Sequence, residues 1–373
     1  MVKVSKSKYI TNPVYLRGVL MGAILAVGAN AWLYALQGYQ KRKEEEERSV
    51  KTIKQTLLNT ADSTSEEKLE RCSAILKYGI AEDGRMVRYY TNHALVYNQQ
   101  MRIPVWVAEH LTKENLQGKS TRRFATFMPD PAVDEEFTAE NSDYWKSGWS
   151  RGHMSPAGNN KINPAAMQDS FYLSNVVPQN YENNAGYWNR LEMYCRDLTK
   201  KYSNVYIISG PAMIPEEEED GKKYVKYQVI GENEVAVPTH LFKVIIVEDK
   251  HGATKAVSAF VVPNKPIGFE HHLKEFEVDL PGLERVLGIK LVKNLDRDKV
   301  ESLCKVDGCK LIGKKEFELY FIGRKLESAN TRERVEKVWS ELEEKKLKPD
   351  RYLKKLYQKK LEEFEERERA KGS

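Results

Sequence analysis

YWKSGWSRGHMSPAGNN (residues 144–160) and, after a short polar connection, FYLSNVVPQNYENNAGYWNRLEMYCRDL (171–198) form the stretch on which the reading turns. Arg151-Gly152-His153 lies in a glycine- and serine-rich setting. Glycine lets a backbone approach a ligand, arginine can grip a phosphate, and neutral imidazole can accept a proton near pH 7. Alone the tripeptide is weak, because a lone histidine in a folded domain is commonly structural. The second half adds spacing. Trp188, Leu191, Cys195 and Leu198 recur at helical intervals, which predicts a helix over residues 185–202 with these four toward a core. Asn184, Trp188 and Glu192 then fall on neighbouring turns of one side. An amide oxygen and a carboxylate so placed can hold a hydrated hard cation, Asn184 directly and Glu192 through water. Mg2+ keeps several waters and needs few protein ligands. The competing reading is an asparagine N-cap and a surface glutamate.

On either side of this stretch the sequence alternates between strand and breaker signals. Residues 87–91, 94–97 and 104–108 are short, aromatic and β-branched. Stronger apolar runs follow at 205–209, ending at Gly210-Pro211, at 241–247, and at 256–262, ending at Pro263-Asn264. Runs bounded in this way suit central strands. The acidic residues 216–220 read as a solvated loop. After Pro349-Asp350, the residues Leu353, Leu356, Tyr357, Leu361 and Phe364 form a helical stripe among lysines and glutamates.

Charge is unevenly placed. The chain of 373 residues carries a balance of +6, with 60 Lys+Arg against 54 Asp+Glu. Seven of the bases and none of the acids lie in residues 1–43, so the remainder is close to neutral. Residues 18–40 carry no charge and include VLMGAILAVGANAWLYAL. A helix of ~20 apolar residues crosses a bilayer, and the basic flanks with Trp32, Tyr34 and Tyr39 fit interfacial anchors. A cleaved secretory signal, with Ala29-Asn30-Ala31 as the cleavage site, and a mitochondrial presequence are the alternatives. The absence of any Asn-X-Ser/Thr acceptor and the four sparse cysteines weigh against secretion. Residues 44–77 read as a charged tether. Cys304 and Cys309 are close enough for zinc or a disulfide, but no second pair accompanies them. The histidines other than His153 lack ligand spacing and read as structural or exposed.

Ser150-Arg151-Gly152-His153-Met154, Tyr172-Leu173-Ser174-Asn175, Pro178-Gln179, Asn184 and Trp188-Asn189-Arg190-Leu191-Glu192 together resemble the DNA/RNA non-specific endonuclease family. That family has a ββα-metal active site and includes endonuclease G. The likeness covers roughly residues 85–325. It implies an α+β fold, a ββα-metal (His-Me finger) core with a central antiparallel sheet. On this reading residues 1–43 are a membrane anchor, 44–77 a linker, 78–327 the nuclease domain and 328–373 a C-terminal helical wing.

Within the family the likeness is greatest to a branch of mitochondrial inner-membrane exo/endonucleases. It rests on Ser150, where most members have aspartate, on PAGNNK (156–161), on NNAGYWNRLEMYCR (183–196) and on the helical extension. The departures from the wider pattern are Ser150 and Gly158, the latter in place of alanine. Ser150 removes a carboxylate that could orient His153, but leaves the base and the metal ligand in place.

Carried over residue by residue, the resemblance implies His153 as general base and Asn184 as the protein ligand of one Mg2+, with Mn2+ as a substitute. Glu192 would hold metal-bound water, and Asn175 would orient the site. Arg122 and Arg151 would contact phosphate; Lys161 and Arg190 would touch the nucleic-acid backbone. The expected reaction is hydrolysis of DNA and RNA to 5′-phosphate and 3′-hydroxyl ends, with 5′-to-3′ exonuclease as well as endonuclease activity, by a homodimer serving mitochondrial DNA repair or turnover. A near-neutral body means that any groove for DNA must come from segregated charge, with Lys146 and the tail bases Lys354, Lys355, Lys359 and Lys360 as further candidates. Two other readings stay open: a membrane-tethered nucleic-acid-binding protein with a decayed site, and a secreted non-specific nuclease.

Overall fold

A computed structural model describes residues 65–80 and 84–372, together with Gln40. The anchor segment therefore lies, Gln40 apart, outside the described residues, as does most of the linker. Among the described residues no helix is long and apolar enough to cross a membrane.

The apolar runs build one eight-stranded sheet. In chain order its strands are β1 (Val87–Tyr89), β2 (His93–Asn98) and β3 (Ile103–Leu111), followed outside it by β4 (Ser150–His153) and β5 (Val176–Gln179). It resumes with β6 (Asn204–Ala212). Four short strands stand apart as two pairs: β7 (Glu216–Glu217) with β8 (Lys223–Tyr224), and β9 (Val229–Ile230) with β10 (Val235–Ala236). Then come β11 (His240–Glu248), β12 (Thr254–Pro263), β13 (Glu277–Val278) and β14 (Glu301–Ser302). The order across the sheet is β1-β2-β3-β6-β11-β12-β13, with β14 also on β12. Every pairing is antiparallel except β12 with β14, so the sheet is mixed rather than wholly antiparallel. Strand β14 reaches β12 by a crossover rather than a hairpin, and only such a connection permits parallel pairing.

The runs at β6, β11 and β12 are continuous because both sheet faces are covered. One face packs Leu95, Val107, Ile207, Leu241 and Ile245 beneath the β4–β5 hairpin. The other packs Trp106, Ile208, Phe242 and Ile246 under Leu280 and Leu283. Each such side chain contributes about 1.5–3 kcal/mol on burial. Strand β6 does not stop at Gly210-Pro211 but runs to Ala212. Its pairing with β3 ends at Ser209, so Pro211 lies beyond that ladder and is in register only with Leu241 of β11. Gly210 is required there: a Cβ would lie 2.6 Å from the Phe242 ring and 2.7 Å from the Val105 carbonyl.

The acidic residues 216–220 are likewise not a plain loop. Glu216 and Glu217 pair with Tyr224 and Lys223 in an exposed hairpin, and Glu218 and Asp220 meet Lys226 and Lys222. Cys304 and Cys309 form a disulfide, which settles the choice between zinc and a covalent bridge. Beyond it the helices Lys314–Ser328, Arg332–Glu344 and Arg351–Gly372 share a core of their own through Ile322, Leu326, Val335, Val338, Leu353 and Phe364. Asp350 caps the last of them, its Oδ1 accepting the Leu353 N–H at 2.8 Å.

Candidate active site

Strands β4 and β5 pair antiparallel, His153 opposite Val176 and Ser150 opposite Gln179. Gly152 lies between them because a Cβ there would sit 2.1 Å from the Gln179 side-chain oxygen. The predicted helix opens differently from the sequence reading. Asn183–Trp188 is a single π turn, and regular α-helix runs only over Asn189–Leu198. Such turns recur at functional sites because they re-aim side chains. Buried Asn183 holds this one in place: its amide donates to the Pro263 and Lys265 carbonyls and accepts from Gln179. The adjacent Asn184 is thereby set against β4. Its Nδ2 donates to Ser150 Oγ at 3.0 Å, and Ser150 Oγ donates to the Gln179 carbonyl at 2.8 Å. With the nitrogen so engaged, the amide oxygen of Asn184 is the atom left for a ligand.

His153 ends β4 between two rings, Phe127 at 5.0 Å and Phe171 at 4.9 Å. Burial first, then the charges of Arg122 and Arg151, lower its pKa to about 3. Its Nε2 is enclosed without a hydrogen-bond partner. Arg122 lies over Phe171 and Arg151 over Phe127, 5.7 and 4.4 Å from the ring centres. Two guanidinium groups thus rest on the same two rings that hold the imidazole. Arg151 also donates to Asn141 Oδ1 at 2.5 Å.

Asn175 is buried and acts on the main chain after His153. Its Oδ1 accepts the Ser155 N–H at 2.9 Å, while Nδ2 donates to the Ser155 and Ser170 carbonyls at 2.9 and 2.7 Å. Glu192 has its pKa raised to about 7, by burial first and by Glu109, against the lowering charges of Arg196 and Lys243. Lys161 is pushed down by partial burial and by the positive charges of Arg324 and Arg196. Arg324 and the opposing Glu327, both on the Lys314–Ser328 helix, thus lie near enough to Lys161 to act on its charge.

Arg190 is placed elsewhere. It is 3% exposed, its Nε donates to the Ile312 carbonyl at 2.9 Å, and its guanidinium stacks on Phe269. It works as a strut between the Asn189–Leu198 helix and the C-terminal helices, with no free face for a nucleic-acid backbone.

Among the described residues no three His, Cys, Asp or Glu side chains gather as a metal site. A cation here would rest on an amide oxygen, a carboxylate and water, a hard-oxygen set that suits Mg2+ or Mn2+ and not a soft metal. An imidazole kept neutral beside two arginines can take a proton next to a bound phosphate.

A family model described as DNA/RNA non-specific endonuclease matches residues 72–298. The chain belongs to the DNA/RNA non-specific endonuclease family. A second model, the endo/exonuclease (EXOG) C-terminal domain, matches residues 312–360. Among relatives in this family, the mitochondrial nuclease EXOG of Danio rerio is 53% identical over 78% of this chain and 85% of its own length. The human protein of that name is 44% identical over 95% of this chain and 94% of its own. Human mitochondrial endonuclease G is 42% identical over 59% of this chain and 74% of its own length. A crystal structure of an EndoG/EndoGI complex aligns with a TM-score of 0.59 at 38% identity, over 62% of this chain and 96% of the matched one. Like other members of the DNA/RNA non-specific endonuclease family, the chain is a nuclease, an enzyme that hydrolyses nucleic acids, and the family is metal-dependent.

Sequence reasoning passed over four groups that the fold brings here. Arg196 donates to Asn159 Oδ1 at 3.0 Å, and its position four residues after Glu192 was the available signal. Lys243 was a lone charge inside an apolar run, and Glu109 fell one residue beyond a strand candidate. His93 is fully buried and stacked on Tyr90 at 4.6 Å; burial first, then the nearby His153, lowers its pKa to about 3.

Removing Arg122 should change the pH dependence in a set direction. Its charge depresses the pKa of His153, so Arg122→Gln lets that pKa rise toward 6.5 and reduces the neutral fraction at acid pH. The acid limb of kcat/KM should move to higher pH, beyond the general loss of activity. A pH–rate profile whose limb stays where it is in the wild type would contradict the link.

Proposed function

We propose that this nuclease hydrolyses phosphodiester bonds of DNA and RNA with Mg2+, or Mn2+ in its place, leaving 5′-phosphate and 3′-hydroxyl ends. The observation that carries the reading is the hydrogen bond from Asn184 Nδ2 to Ser150 Oγ, which ties the candidate ligand to the strand that bears His153. Asn184 would hold the cation through its amide oxygen and Glu192 through water. When bound, the cation supplies Lewis-acid stabilisation of the phosphate and the leaving 3′-oxygen.

The chain's own groups do the rest. Nε2 of His153 is enclosed, which leaves Nδ1 to face a water and take its proton as the oxygen attacks phosphorus. Arg122 and Arg151 place fixed positive charge where the phosphorane gathers negative charge. Asn175 keeps the turn after His153 from drifting, and Ser150 turns the amide of Asn184. Serine in place of aspartate thus orients the ligand instead of the base. That His153, Asn184, Glu192 and Arg122 are all present together weighs against a decayed, binding-only site. Ligation tests the chemistry: fragments released with Mg2+ should religate without end repair, and fragments that need a kinase or phosphatase first would exclude these ends.

The same reading extends to place and direction. The names of the relatives support a mitochondrial enzyme, and the uncharged residues 18–40 support a single-span anchor; we place it in the inner membrane, as a homodimer in DNA repair or turnover. Residues 78–327 would be the nuclease domain and 328–373 the C-terminal helical wing, which would confine a DNA end and favour 5′-to-3′ trimming. Arg324, on the Lys314–Ser328 helix that shares the core of the wing, lies near enough to Lys161 for the two charges to repel, and this supports that direction. Arg324→Glu should lower 5′-end preference on duplex DNA about 5- to 10-fold, as expected for loss of a charge-assisted phosphate contact, with internal nicking kept. End preference unchanged in this variant would argue against the wing.

A further inference from the structure

The sheet face beneath the β4–β5 hairpin is apolar except for one patch. Strand alternation turns His93, Glu109, Ser209 and Lys243 to the side of Leu95, Val107, Ile207 and Leu241, and all four are at most 1% exposed. His93 faces Glu109 across the β2–β3 ladder, and Ser209 faces Lys243 across β6–β11. Lys243 donates to Ser209 and lies 4.6 Å from the Trp188 ring centre. A carboxylate on a core face is costly to bury, so what it holds is informative.

Glu109 Oε1 accepts two hydrogen bonds, from Ser155 Oγ at 2.8 Å and from Asn159 Nδ2 at 3.1 Å. Ser155 follows His153 by two residues, and Asn159 passes the connection on by accepting from Arg196, one turn beyond Glu192. Asn175 fixes the main chain of Ser155 from the opposite side. The second carboxylate oxygen of Glu109 and both ring nitrogens of His93 have no partner, so the carboxylate is not there to satisfy the histidine.

We propose that Glu109 is a positioning residue of this nuclease: one carboxylate oxygen on a central strand sets the turn after His153 against the helix that carries Glu192 and Arg196. The inference rests on the reading of His153 as the base. A displacement of about 1 Å between reacting groups can cost about 10²-fold in rate, and without Glu109 the turn keeps Asn175 on its main chain and Asn160 on Ser155 Oγ and the Pro156 carbonyl but loses its tie to the central strand.

The test measures kcat and KM on duplex DNA with Mg2+ for the full chain, for Glu109→Leu, Glu109→Gln and Ser155→Ala, with His153→Ala alongside and thermal melting of each. Leucine removes the acceptor, and kcat should fall about 10- to 100-fold with KM within about threefold. Glutamine keeps an acceptor oxygen and should restore kcat to within about threefold, although Lys243 then loses its opposing charge and the melting temperature falls. Ser155→Ala removes the hydroxyl from both Glu109 and Asn160, should lower kcat about 3- to 10-fold, and decides the matter if the leucine variant does not fold. Leucine or Ser155→Ala variants within about twofold of the wild type would overturn the proposal, as would a glutamine variant as slow as leucine. An inert wild type, or an active His153→Ala, would instead strike the reading of His153.

Discussion

His153→Ala should lower kcat on duplex DNA by about 10²–10⁴-fold, the range that general-base catalysis spans, with KM and the melting temperature little changed. The imidazole is held by Phe127 and Phe171 and by no hydrogen bond at its enclosed nitrogen, so alanine leaves no charged or polar group stranded. The guanidinium groups of Arg122 and Arg151 remain to bind phosphate, which is why affinity should persist. Burial and these two charges lower the pKa of His153 to about 3. The wild-type acid limb in kcat/KM should therefore lie well below the pH at which an ordinary imidazole titrates. In the alanine variant the residual rate should lose that limb. A His153→Ala enzyme within about tenfold of the wild type would remove the histidine from the reaction.

The second large effect is expected at Asn184. Its amide is turned by Ser150, which in turn is fixed on the Gln179 carbonyl. Asn184→Ala removes the one protein atom proposed to touch the cation directly, and the rate at fixed Mg2+ should fall about 10²–10³-fold, comparable to losing a principal electrostatic stabiliser. Part of that loss should be recovered at high Mg2+ or with Mn2+, because Glu192 still offers a carboxylate. Asn184→Asp should behave differently, keeping an oxygen but placing a charge against Ser150 Oγ. A Mg2+ titration of each variant, read as activity and as displacement of luminescent Tb3+ by Mg2+, separates a ligand from a mere N-cap. An unchanged Mg2+ dependence in Asn184→Ala would leave the asparagine a capping residue.

The parts of this fold that were legible in the sequence were those governed by local periodicity. Residues 205–209, 241–247 and 256–262 announced central strands because both of their faces are buried, and the stripe from Leu353 to Phe364 announced a helix. Short edge strands were not legible, since Glu277–Val278 and Glu301–Ser302 carry no pattern of their own and exist only by pairing with β12. The same holds for the π turn at Asn183–Trp188, which depends on carbonyls of Pro263 and Lys265 some eighty residues away. At the candidate site, motif spacing singled out His153, Asn184 and Glu192. It could not locate Glu109, Lys243 or His93, which come from three different strands and meet only when the sheet forms. Arg190 shows the reverse error: a charge inside a motif, read as substrate-facing, that the fold spends on the Ile312 carbonyl.

The central claim is that the β4–β5 hairpin and the Asn183–Trp188 turn form a metal-dependent phosphodiesterase centre. Its most direct measurement is cleavage of 5′-end-labelled duplex DNA by the full chain, with and without Mg2+, beside His153→Ala. The account predicts cleavage by the wild type that needs Mg2+ and starts from the labelled 5′ end, with at least about a hundredfold loss in the variant. Equal rates for the two proteins, or cleavage indifferent to Mg2+, would contradict it.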